Sequence, residues 1–437
     1  MKKMVIATLC IVRAVFMSVN CCAMENIQKW QKGDAVKDIQ EKLISLGYLD
    51  DVADGIFGPK TEAAVAAFQK DKGFDATGIV GEATFGALNE ASGAEAPEGA
   101  AVDYAADFPS WNPDSESLHA LVDFVTACAD EASPDYLDPA DRIATFDMDG
   151  TILCEKAPVY VDWCLTMYRV LDDPTFNATE EERDAMEQVR DHAYTNGETF
   201  KPEGVNKDDL VSTAFAGMTP AEFRAYVLDF AEKTDAVGFE GMTYAESFYK
   251  PMIEVIRFLK ANDFDVWMVS ACEREVVRAL VERFDIPFDH VVATDVPYVA
   301  YGQGDEDADE YDMSKDEAIV LGAPLDDVEC GKFGKSAAIA REIGKRPVLA
   351  FGNSSGDYSM LNYAEGNPDH EGMGFFIVCD DTEREYGSDE KAAAFYEKAE
   401  AQGWTAVSMA NDWKDIYGEG VRKIGLPYEE QELSDAA

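Results

Sequence analysis

The spacing of apolar and polar positions divides the chain into stretches of different period. Val36, Ile39, Leu43 and Leu46 recur at helical spacing and give one apolar face. Gly47-Tyr48 ends that helix, and Asp54-Gly55-Ile56-Phe57-Gly58 reads as a turn. Thr61 then caps a second helix carrying Ala64, Val65 and Phe68. Thr77-Gly78-Ile79-Val80 turns again, and Thr84 to Leu88 begins a third helix. Residues 92–107, rich in Ala, Gly and Glu, show no periodic face and read as a flexible linker. Beyond them the pattern changes. Leu118 to Cys128 predicts a helix. Arg142 to Phe146, Phe264 to Val269, Arg346 to Phe351 and Gly374 to Val378 are short apolar runs of the kind that form buried strands.

Two longer stretches interrupt this alternation. Well over a hundred residues separate Thr151 from Ser270, too many for one crossover, and they hold helix-like runs at Thr179 to Tyr194 and Pro220 to Glu232. Asp295 to Glu329 contains the acidic run Gly304 to Glu317. It reads as a solvated loop without the regular ligand spacing of a calcium loop. At the start, Lys2 and Lys3, an apolar run and Cys-Cys-Ala before Met24 predict an export signal over residues 1–23. Arg13 interrupts that run, a short buried helix is the rival reading, and lipidation at Asn20-Cys21 is a minor alternative. No later segment is long and apolar enough to span a bilayer.

Composition bounds the function. The 437 residues allow two to four domains, and 47% hydrophobic content suffices for a packed core. A formal net charge of −49 repels nucleic acid and anionic membrane surfaces. It also opposes an anionic substrate, so a phosphate site here needs local positive charge from a lysine and a divalent cation. Cys128, Cys154, Cys164, Cys272, Cys330 and Cys379 are scattered, without zinc-like spacing. His119, His192, His290 and His370 are isolated and read as structural.

Candidate chemistry lies at the strand ends. Arg142 to Phe146 runs into Asp147-Met148-Asp149-Gly150-Thr151. Carboxylates two apart on an extended chain project to one side, at the edge where open α/β sheets bind ligands. A carboxylate nucleophile beside a second carboxylate suits phosphoryl transfer; an acidic turn is the bland alternative. Ser270 ends the strand at Phe264 to Val269, before a helix-like Glu273 to Phe284. Lys335 opens the helical stretch Ser336 to Ile343, with Lys332 as its rival, and Arg346 to Phe351 runs into Gly352-Asn353-Ser354-Ser355-Gly356-Asp357.

In that order, these residues resemble the four motifs of the haloacid-dehalogenase superfamily, in its phosphoserine- and phosphorylcholine-phosphatase-like branch. The likeness covers roughly residues 108–430. It implies an α/β fold: a Rossmann-like doubly wound parallel sheet over 108–437, with an inserted helical cap at about 158–250. It also implies a hydrolase of small phosphomonoesters. Asp147 would be the nucleophile and Asp149 the acid and base, with Ser270 and Lys335 binding phosphate. Mg2+ would be held at Asp147, Asp149 (through its backbone carbonyl) and Asn353, with Asp357 at the metal site orienting Lys335 or metal-bound water. The fourth motif departs from the usual pattern, because Asn353 stands where an acid is common.

Gly33, Val36, Gln40, Leu43, Gly47-Tyr48, Asp54-Gly55, Phe57-Gly58, Thr61, Ala64-Val65, Phe68-Gln69, Gly73, Thr77-Gly78, Val80, Thr84 and Leu88 resemble the small three-helix peptidoglycan-binding domain of bacterial wall enzymes. Residues 24–91 would then bind peptidoglycan and hold a secreted enzyme at the cell wall. A wall-binding adaptor with an inactive hydrolase fold is the competing reading.

Overall fold

A computed structural model describes residues 32–49, 52–53, 55–72, 76–80, 84, 88, 102–202, 213–308, 310–322 and 330–428. The expected export signal, most of the expected linker and the body of the third N-terminal helix lie outside the described residues. The chain divides into two compact units, residues 1–100 and 101–437.

The first unit contains helices Asp34–Ser45 and Pro59–Asp71. Val36, Ile39, Leu43, Phe57, Val65, Phe68, Val80 and Leu88 form its core. Two buried amides tie the turns to the helices. Gln40 donates to Ile56 O (3.1 Å) and Thr61 Oγ1 (3.2 Å) and accepts from Gly55 N (2.8 Å). Gln69 donates to Ile79 O (2.7 Å) and Thr84 Oγ1 (3.0 Å) and accepts from Gly78 N (2.9 Å). Thr61 is not the cap: Gly58 holds that position, Pro59 starts the helix, and Thr61 is buried as a partner of Gln40. A proline's fixed φ and missing N–H suit the first helical position.

The second unit is built on a parallel sheet. Its strands, and the short ones around it, run in chain order as β1 (Ile143–Phe146), β2 (Phe239–Glu240), β3 (Asp265–Glu273), β4 (Val291–Thr294), β5 (Tyr298–Ala300), β6 (Ile319–Leu321), β7 (Leu349–Gly352), β8 (Met373–Val378), β9 (Thr405–Ser408) and β10 (Arg422–Lys423). The main sheet has the order β4-β3-β1-β7-β8-β9, with every pairing parallel. The reversal beside β1 places its end at the switch point of the sheet. Phe146, Phe351 and Phe375 stack across β1, β7 and β8, with centroids 4.2 and 5.0 Å apart.

Between β1 and β3 the helical insertion comprises Val161–Met167, Glu180–Asn196 and Pro220–Lys233. Capping boxes at Thr179/Glu182 and Thr219/Glu222 start the last two helices. One further expectation needs correction. The last residues assigned to the linker are folded: Asp103 caps a helical turn, Tyr104–Asp107, and the Tyr104 ring packs on Phe108 and His119. The insertion 295–329 also holds an antiparallel hairpin, β5 and β6, whose strands flank the acidic run 304–317. Among the described residues, no helix is long and apolar enough to cross a membrane.

Candidate active site

The end of β1 supplies the first carboxylates. Asp147 continues the ladder, its N–H donating to Phe351 O of β7 at 2.9 Å. The chain then turns through Gly150, at φ 81°. A Cβ on Gly150 would lie 2.0 Å from Asn353 Nδ2, so glycine is required both by φ and by the approach of the β7 loop. The turn returns Thr151 to the site, where its buried hydroxyl lies 3.4 Å from Asp147 Oδ2.

β3 carries Ser270. Pairing of Phe146 with Met268 sets Ser270 at the same sheet edge as Asp147 to Asp149. Its buried hydroxyl accepts from Cys272 N at 3.1 Å.

Lys335 lies on the first turn of helix Phe333–Glu342, which begins two residues earlier than expected. Its buried ammonium donates to Asp147 Oδ1 (2.5 Å) and Asp357 Oδ1 (2.6 Å). The rival Lys332 is exposed and makes neither contact. Asp357 Oδ2 accepts from Asn353 N (3.1 Å), Ser354 N (3.0 Å) and Ser354 Oγ (3.2 Å). Both oxygens of Asp357 accept from protein donors, which agrees with its expected place orienting Lys335. It holds Lys335 and closes the loop after β7.

Asn353 does face the carboxylates. Its inward amide atom lies 3.2 Å from Thr151 Oγ1, 3.2 Å from Asp147 Oδ2 and 3.0 Å from Asp149 O. With Nδ2 inward, the amide donates to all three. With Oδ1 inward, it joins Asp147 Oδ2 and the Asp149 carbonyl in a cluster of hard oxygen donors, which fits a magnesium ion. Among the described residues, no three His, Cys, Asp or Glu side chains converge as a metal site. The set here mixes a carboxylate, a carbonyl and an amide.

Burial and the charge of Asp357 push the Asp147 carboxyl up to about 7, against the pull of Lys335. Burial alone would lower Lys335, but Asp147 and Asp357 outweigh it and hold the ammonium protonated. Burial, then Asp162 and Asp147, raises the Asp149 carboxyl well above the usual carboxylate range. The Val161 N–H, at the start of the cap helix, points to Asp149 Oδ1 at 3.5 Å and opposes that rise. The site thus pairs a lysine-bound carboxyl with a second one whose hold on its proton burial and neighbouring carboxylates strengthen.

Sequence reasoning gave Thr151, Ser354 and Val161 no role. For Thr151 the signal was its position just past the glycine turn; nothing in the local sequence pointed to Val161. Of the aromatic residues around the first cap helix, Trp163 is buried and Tyr168 packs on Tyr226 and Phe230. Tyr160 is partly open, its hydroxyl 3.3 Å from Glu155 Oε1.

Comparison with known proteins agrees with both halves of the chain. Residues 32–88 match the peptidoglycan binding domain family. An uncharacterized protein of Kitasatospora aureofaciens is 50% identical over 58 residues, 13% of this chain and 49% of that protein, so the chain spans about half the length of that curated relative. A functionally unknown protein of Anaerococcus prevotii is similar at 15% identity and TM-score 0.44, over 71% of this chain and 97% of that one. A phosphoserine phosphohydrolase-like protein of Francisella tularensis is similar at 13% identity and TM-score 0.30, over 54% and 87%. Residues 144–362, half of the sequence, match the haloacid dehalogenase-like hydrolase family, and the chain belongs to it.

Proposed function

We propose that the chain is a magnesium-dependent phosphomonoesterase that works through an aspartyl-phosphate on a small phosphorylated metabolite. The observation that carries this reading is Lys335 joining Asp147 to Asp357, with Asp149 two residues beyond the nucleophile. Asp147 attacks phosphorus, and the bond from phosphorus to the ester oxygen breaks. The leaving oxygen takes the proton from Asp149. Asp149, now ionised, takes a proton from water as the water oxygen attacks the acyl phosphate. Phosphate leaves and the Asp147 carboxylate is restored. Lys335 and Ser270 hold phosphoryl oxygens as charge spreads over them. Magnesium held at Asp147, the Asp149 carbonyl and Asn353 would supply the positive charge that a chain of net charge −49 otherwise lacks.

The family match at residues 32–88 supports a further part of the reading: an exported enzyme, secreted or kept at the cell wall by peptidoglycan. Release of phosphate from p-nitrophenyl phosphate, with and without magnesium, tests the activity. No release at any magnesium concentration would leave the wall-binding adaptor as the better account.

A further inference from the structure

The hairpin β5–β6 touches both the cap and the catalytic sheet's own helix. On one side, Gly217 N donates to Leu321 O and Leu321 N donates to Met218 O, each at 2.8 Å. β6 thereby adds to the backbone that leads into cap helix Pro220–Lys233. On the other side, Tyr298 of β5 donates its hydroxyl to Glu275 Oε1 at 2.6 Å. Glu275 lies in the first turn of helix Arg274–Val281, which follows β3 and Ser270.

Glu275 is fully buried and collects three donors. Besides Tyr298, Arg278 donates to Oε1 at 2.6 Å, and Arg224 of the cap helix pairs with Oε2. The Arg224 guanidinium also lies over the Phe288 ring, 4.6 Å from its centroid. One carboxylate therefore joins the cap, the catalytic unit and the hairpin. A buried charge with three donors is costly to disturb, because each donor it loses leaves part of that charge unsolvated.

We propose that the β5–β6 hairpin and Glu275 form a strap that fastens cap helix Pro220–Lys233 over the site, and that this strap limits the size of phosphomonoester admitted. Val161, whose N–H faces Asp149, starts the helix that runs on to Tyr168, and Tyr168 packs on Tyr226 and Phe230 of the fastened helix, so a fastened cap leaves room for small esters and excludes bulky ones. The size limit rests on the phosphomonoesterase reading; the fastening does not.

The full-length protein and three variants test this. Glu275→Gln removes the charge and keeps the shape, and Tyr298→Phe removes only the hairpin bond. Lys233→Ala is a control, because its partner Asp229 lies in the same cap helix. Amide hydrogen exchange is followed over residues 220–233. Exchange about tenfold faster is expected in Glu275→Gln, the scale of one lost bond to a charged group, with a smaller rise in Tyr298→Phe and none in the control. The kcat/KM for a phosphotyrosyl peptide, relative to p-nitrophenyl phosphate, rises in the same order. Wild-type exchange in both strap variants would overturn the fastening, and Tyr298→Phe decides alone where Glu275→Gln does not fold. Faster exchange with an unchanged size preference would overturn the size limit. A wild-type protein that cleaves neither ester would refute the phosphomonoesterase reading, while exchange would still decide the strap.

Discussion

Lys335 donates to Asp147 at 2.5 Å across 188 positions of sequence, and the same ammonium bonds Asp357 at 2.6 Å. Two carboxylates and one cation are thus enclosed together. The ammonium fixes one oxygen of Asp147, while Oδ2 faces Thr151 and Asn353. Asp147, Lys335 and Asp357 thus form one buried, bonded group.

Asp147→Asn removes the attacking oxygen, and Asp149→Asn removes the transferable proton. Each is expected to lower kcat by about a thousandfold or more while the fold persists. Turnover, circular dichroism and melting measured on the same samples check this. Near-normal turnover in a folded Asp147→Asn protein would remove it from the nucleophile's role.

Asn353→Asp places a carboxylate beside Asp147 Oδ2 and the Asp149 carbonyl. Magnesium should bind more tightly, by about tenfold for roughly 1.4 kcal/mol. Calorimetric titration of both proteins gives the comparison, and an unchanged affinity would mean that position 353 does not face the ion.

Gly150→Ala puts a Cβ 2.0 Å from Asn353 Nδ2 at a φ of 81°. Stability should fall by about 1–2 kcal/mol from the backbone conformation. Magnesium affinity should fall as well, because Asn353 is pushed aside. A variant with wild-type melting and magnesium binding would contradict the close approach.

Buried Glu385 accepts from Tyr386 N at 2.9 Å and from the Tyr417 hydroxyl. Burial pushes its carboxyl up to about 7. Between the ordinary glutamate value and 7, the folded state binds the extra proton. Stability is therefore greatest at the acid end of that window and falls as pH rises through it, by up to about 3 kcal/mol. Melting curves from pH 5 to 8 should show a smaller acid-side advantage in Glu385→Gln than in wild type.

Deleting residues 24–91 should leave hydrolysis of p-nitrophenyl phosphate intact and weaken co-sedimentation with purified peptidoglycan. Full sedimentation of the shortened protein would rule that segment out as the anchor.

Much of the site was legible because its residues end apolar runs. Ile143 to Phe146 is buried on both faces of a parallel sheet, so it reads as a continuous apolar stretch and marks where Asp147 begins. Leu349 to Gly352 and Met373 to Val378 were visible for the same reason. The edge strand Thr405–Ser408 was missed: its first two residues are only half-buried, and its short mixed pattern resembles a loop. The β5–β6 hairpin was hidden because an acidic run separates its two short strands, and its contacts to Met218 and Glu275 lie far away in sequence. The partners of the second Asp357 oxygen, the Asn353 and Ser354 N–H groups, were not legible, because spacing shows that an oxygen is present but not which groups donate to it.

The place of β1, between β3 and β7, has a consequence during synthesis. A ribosome that has released Asp147 and Asp149 has released a strand without either neighbour. Their orienting ammonium and the loop that closes on them emerge only with Lys335 and Asp357. A nascent chain that stops short of those residues carries Asp147 and Asp149 without the ammonium and the loop that hold them, so on the proposed reading it hydrolyses no phosphomonoester until most of the sequence has been translated.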